Sequence, residues 1–91
     1  MQAMQSMHGT KKLDGSQYLK DARVSLQQAR ATAMKTYPGK IVTEELEKEK
    51  GGSGLRYSFD VKNTAGVTHE VGVDAKTGTV LENSVEGPNA D

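Results

Sequence analysis

Two stretches of strict alternation constrain this chain more than any other feature. Leu55, Tyr57, Phe59 and Val61 alternate with Arg56, Ser58, Asp60 and Lys62; after Thr64-Ala65-Gly66, Val67, His69, Val71 and Val73 alternate with Thr68, Glu70, Gly72 and Asp74. Successive side chains of a strand point to opposite faces, so each stretch has one apolar and one polar face. A short turn between them makes an antiparallel hairpin with one side to bury and one to leave wet. Two strands are marginal alone, so the rest of the chain must supply further strands and a cover.

The cover is readable upstream. Ser25-Leu26-Gln27-Gln28 is a capping box, with Val24 and Ala29 at the staple positions around it. Leu26, Ala29, Ala33, Met34 and Tyr37 recur on one stripe, Gln27, Arg30, Lys35 and Thr36 lie off it, and Pro38-Gly39 stops the helix. Beyond that break the period becomes two. Residues 40–50 form a polar strand with Val42 and Leu46 on one side, Gly51-Gly52-Ser53-Gly54 is a turn, and Lys76-Thr77-Gly78 leads to a fourth strand around 79–85. The predicted fold class is α+β: one N-terminal helix packed on one face of a four-stranded antiparallel β-meander. The domain spans 24–86. Residues 1–17 show neither period, so 1–23 is expected to be a mostly disordered tail, and 87–91 to fray.

Register follows from the turns, because both sides of a hairpin must put their apolar residues on one face. A turn at 64–66 sets Phe59 opposite Val71 and Tyr57 opposite Val73; a turn at 51–54 sets Leu46 opposite Phe59. The outer face then holds a balanced row, Glu49, Arg56 and Asp74, and a row of three carboxylates, Glu45, Asp60 and Glu70. Carboxylates about 5 Å apart on neighbouring strands repel by a few tenths of a kcal/mol or more. The fourth strand has two registers: a three-residue turn points Leu81 and Val85 inward, a two-residue turn favours Val80.

Composition narrows the functional classes. Ninety-one residues allow one small domain, and with Leu, Ile, Val and Phe making up only sixteen of them the core is thin. Twelve Lys and Arg balance twelve Asp and Glu, so the large net charge of disordered chains is missing. Residues 1–40 are basic and 41–91 acidic, but the basic charges are dispersed without aromatic interleaving, which speaks against nucleic acid. Cysteine is absent, which excludes disulfides and thiolate chemistry. No apolar run approaches the ~20 residues of a bilayer span. No nucleophile elbow, phosphate loop or metalloprotease helix is present, and Gly51-Gly52-Ser53-Gly54 joins two strands rather than opening a helix. The chain is therefore read as no enzyme, with no catalytic, cofactor-binding or metal residues assigned.

Four features are candidates for binding, each with a plainer alternative. Met1, Met4, Met7 and His8 form a soft donor set suited to Cu(I), against a plain polar tail with an initiator methionine. His69 is in phase with Val67, Val71 and Val73, so it is either a pH-sensitive group or a strand-end histidine half covered by the helix terminus. The acidic outer face, Glu45, Glu47, Glu49, Asp60, Glu70 and Asp74 against Arg56 and Lys62, either receives a cation or simply keeps a one-layer sheet soluble. Of the edges, 44–50 is guarded by charge, whereas 79–85 is open to a partner strand.

The segments 24–39 (Val-Ser-Leu-Gln-Gln-Ala-Arg-Ala-Thr-Ala-Met-Lys-Thr-Tyr-Pro-Gly), 55–62 (Leu-Arg-Tyr-Ser-Phe-Asp-Val-Lys) and 70–81 (Glu-Val-Gly-Val-Asp-Ala-Lys-Thr-Gly-Thr-Val-Leu) resemble a PepSY domain, the family named for peptidase propeptides and the YpeB spore protein. Its signature, as it stands here, is a cap, a helix stop and a tight turn. Glu44 and His69 stand where the pattern more often has an apolar residue. The resemblance implies a non-catalytic bacterial module, periplasmic or secreted once its signal peptide is removed, that restrains a peptidase, such as a metallopeptidase, by protein contact. Alternatives are a structural or sensory envelope module without effect on proteolysis, or weak metal binding through Met4, Met7 and His8. No peptidase domain follows in the sequence, so restraint of an enzyme on the same polypeptide is not expected.

Overall fold

In the computed structural model, which describes residues 13–86, helix α1 (Leu26–Thr36) lies on a four-stranded antiparallel sheet. The strands β1 (Lys40–Lys48), β2 (Leu55–Lys62), β3 (Thr68–Asp74) and β4 (Val80–Val85) are ordered as in the sequence, a meander. Ser25 caps α1 as expected: its Oγ accepts from the Gln28 amide at 3.0 Å, and the Gln28 Oε1 accepts from the Ser25 amide at 2.9 Å. The expected stripe faces the sheet. Ala29 and Ala33 are buried, while Leu26, Met34 and Tyr37 are half-buried at its margins. Two alanines at the centre let the helix approach closely over Tyr57, Phe59, Val61, Val71 and Val73, all fully buried. Thr36, expected in water, is half-buried and donates to the Thr32 carbonyl.

The β2–β3 register is the expected one, with Phe59 opposite Val71 and Tyr57 opposite Val73. The β1–β2 register is corrected: Leu46 faces Tyr57, and Glu44 faces Phe59. The last hairpin bond runs from the Glu49 amide to the Gly54 carbonyl, so Lys50 belongs to the turn and Gly54 does not. That shifts the pairing by two residues, which leaves every side chain on its own face. A bulge at Val42 then reverses the phase, turning Ile41 inward and leaving Val42 exposed, opposite to expectation. A second irregularity at Leu81 resolves the two registers of the fourth strand: Val80 pairs with Val73 and Val85 with His69, in phase with the covered face, while Leu81 turns toward the Gly52 turn.

The expectation of a disordered tail fails for residues 13–23. Ser16–Asp21 form a 3-10 helix, Leu13, Tyr18 and Ala22 pack on the core, and the Asp14 carbonyl accepts from the Leu46 amide at 2.7 Å. The segment lacks a period because it is held by tertiary contacts rather than by a repeating face. Gly15 makes the close approach feasible: it has φ +85°, and a side chain there would run into the Leu46 carbonyl. Arg23 and Val24 both donate to the Ala75 carbonyl at 2.9 Å, and the Tyr57 hydroxyl donates to the Val24 carbonyl at 2.6 Å. The entry to α1 is thereby tied to the ends of β2 and β3.

Candidate functional site

The outer face of the sheet, expected to be uniformly wet, is closed at one end. The β1–β2 turn curls over it, and Asp74 beneath is 1% exposed. Asp74 Oδ2 accepts from the Ser53 amide at 2.7 Å, and Oδ1 from the Ser53 hydroxyl at 2.8 Å and the amides of Lys76 at 2.8 Å and Thr77 at 3.0 Å. Burial pushes this carboxyl up, but the Ser53 amide, the Lys76 amide, the Ser53 hydroxyl and the Thr77 amide together outweigh it and hold the pKa at about 2. Gly52, at φ +56°, leaves the room in which a side chain would collide with that carboxylate. Asp74 is thus a structural clamp between two turns, and it leaves the expected acidic surface. The signal that points to it is Asp-x-x-Thr-Gly, an Asx turn in which the side chain accepts from amides two and three residues on.

Arg56, 8% exposed, lies flat beside Gly72, where the missing side chain makes space. Its Nη1 meets Glu82 Oε1 at 3.4 Å and its Nη2 donates to the Lys50 carbonyl at 3.2 Å. The expected rows are corrected accordingly. Arg56 stands between Glu47 and Asp74, and the three expected carboxylates separate: Asp60 and Glu70 share a row with Thr43 and Ser84, while Glu45 moves to the row of Ser58, Gly72 and Glu82. Thr43 donates to Asp60 at 2.8 Å and Ser58 to Glu47 at 2.8 Å, which relieves part of the repulsion. Glu70 has no such help. Burial raises its pKa first, and the charges of Glu82, Asp60, Glu47 and Glu86 raise it further. Among the described residues, no three His, Asp or Glu converge as a metal site.

The two polar residues in apolar positions both meet α1. Glu44 receives Arg30 in a two-pronged ion pair, Nε to Oε1 at 2.8 Å and Nη2 to Oε2 at 2.7 Å. The hydrogen bond to Glu44 raises the Arg30 pKa. His69 stacks on Tyr37, centroids 3.7 Å apart and planes 7° apart, and its Nδ1 lies 2.7 Å from Asn83 Oδ1. This is the half-covered strand-end arrangement. Met1, Met4, Met7 and His8 lie outside the described residues.

The two sheet edges differ. The amide ladder of β1 that faces outward is occupied at Leu46 by Asp14, which bridges beside Glu45. On β4, Val80 is 38% and Val85 64% exposed, and no strand pairs beyond it among the described residues. Hydrogen bonds alternate along an antiparallel strand, and the bond from the Glu86 amide to the Thr68 carbonyl fixes their phase. Asn83 and Val85 therefore turn their N–H and C=O groups away from β3. No helix among the described residues is long and apolar enough to cross a membrane. The candidate site is this open edge with the acidic strip beside it.

No curated protein and no solved structure matches the chain. A family model does: PepSY, the peptidase propeptide and YPEB domain, matches residues 23–83 and so takes in α1, β1, β2, β3 and most of β4. With two thirds of its length inside that match, and the helix-on-meander fold the resemblance implies, the chain belongs to the PepSY family.

Proposed function

We propose that the chain is a non-catalytic binding module that restrains or regulates an extracytoplasmic peptidase through protein–protein contact. The observation that carries this reading is the match of a peptidase-propeptide family model across the helix and the sheet. The geometry supports it in a second way. Asp74 is committed to two turns, Glu44 to Arg30 and His69 to Tyr37 and Asn83, so what these groups leave for a partner is surface. In this reading the working compartment is periplasmic or secreted and the partner is a metallopeptidase.

The test is a titration of the purified chain against a thermolysin-type metallopeptidase cleaving a fluorogenic peptide. Activity is expected to fall with added chain and level off once the enzyme is saturated. Full activity at micromolar excess overturns the inhibitory reading and favours a structural or sensory envelope module.

A further inference from the structure

We propose that the open edge of β4 takes up an extended peptide segment in which Lys or Arg alternates with apolar residues, the segment adding a fifth strand to the sheet. This inference rests on the protein-contact reading above and names the chemistry of the partner's contacting segment.

The backbone supplies the attachment. Asn83 and Val85 direct their amides and carbonyls outward, given the phase fixed by the Glu86 to Thr68 bond, and an added strand satisfies such groups in pairs. The opposite edge is unsuited to this: Asp14 occupies the Leu46 amide, and a bulge at Val42 interrupts the ladder.

The side chains choose the occupant. β3 and β4 contain no Lys or Arg, and Glu70, Glu82 and Glu86 all belong to the outer face at this edge. The cations facing them come from β2: Arg56, which reaches Glu82, and Lys62, two strands from Glu86 in the same row. Partner residues opposite Glu82, Ser84 and Glu86 lie on that outer face, where a Lys or Arg beside Ser84 is flanked by Glu82 and Glu86 and in row with Glu70. The partner residue opposite Val85 lies on the covered face, where the exposed valine gives an apolar side chain a surface. A second copy of this chain fits poorly, because an antiparallel β4–β4 pair brings the acidic residues of one strand onto those of the other.

The experiment uses the full chain, amide-labelled, with two capped synthetic hexapeptides as probes: alternating Lys-Val and alternating Glu-Val. The Lys-Val peptide is expected to shift the Asn83 and Val85 amides, to slow their exchange with solvent, and to bind less tightly as salt rises. The Glu-Val peptide is expected to bind at least about tenfold more weakly. The double variant Ser84→Lys/Glu86→Lys, changed only at exposed side chains, should reverse that preference. Val85→Pro, which removes an outward amide without touching the β3 ladder, should abolish binding of both. Unmoved Asn83 and Val85 amides, equal binding of the two peptides, or concentration-dependent shifts at Val85 in the chain alone overturn the proposal.

The peptidase assay separates this inference from the reading it rests on. Docking of the Lys-Val peptide without inhibition of the peptidase supports the edge and discards the peptidase as its target. Inhibition by wild type and Val85→Pro alike keeps the peptidase reading and overturns the edge.

Discussion

Replacing Asp74 by Asn keeps the outline of the side chain and removes the charge on which three amides and a hydroxyl converge. With its folded pKa held at about 2 against an ordinary 3.8, the ionised form stabilises the fold by roughly 2 kcal/mol. The sign follows from the depressed value: this stability is complete above the unfolded pKa and drains away as pH falls from about 4 toward 2. Asp74→Asn should therefore lower the melting temperature by roughly 10 °C at pH 7, and the gap to wild type should close in strong acid, as followed by circular dichroism. Glu70 works in the other direction. Its raised pKa means that the ionised form is strained in the folded state, so the stability it contributes is greatest in acid and lost as pH rises through that pKa. Glu70→Gln should raise the melting temperature by a few degrees at neutral pH, less so in high salt, with no gain once the carboxyl is protonated.

Elements differ in how far the sequence exposes them. The start of α1, its stop at Pro38-Gly39 and the β2–β3 register are legible because each depends on a few consecutive residues: a capping box, a proline, a three-residue turn. The β1–β2 register is less so. Four small residues in a row offer several ways to close a turn, and each bulge, at Val42 and at Leu81, adds one unpaired residue that the alternation around it does not announce. Residues 16–21 are illegible for a different reason, since a 3-10 helix with no buried face of its own exists only where Tyr18 and Leu13 find the core. Gly15→Ala tests that dependence. It should free the segment from β1, speed exchange of the Leu46 amide severalfold, and lower the melting temperature while leaving the β2–β3 hairpin intact. An unchanged Leu46 exchange rate would mean that Asp14 does not seal this edge.

At the scale of the molecule, the polar outer face was legible as a composition but not as a site. Arg56 and Asp74 look like surface charges in an alternating pattern, and only the glycine turn folding back over them makes them interior. What remains outside is an asymmetric sheet, tied at Leu46 of β1 by the N-terminal segment and open along β4 beside a strip of carboxylates, one of which, Glu82, meets Arg56. That asymmetry is the central claim, because the proposed docking of a partner strand depends on it. Residue-resolved hydrogen exchange on the free full-length chain tests it most directly. The account predicts slow exchange at Leu46 and Glu86, whose amides are bonded, and fast exchange at Asn83 and Val85, whose amides point outward. Strong protection of Asn83 and Val85 in the free chain, or fast exchange at Leu46, would contradict it.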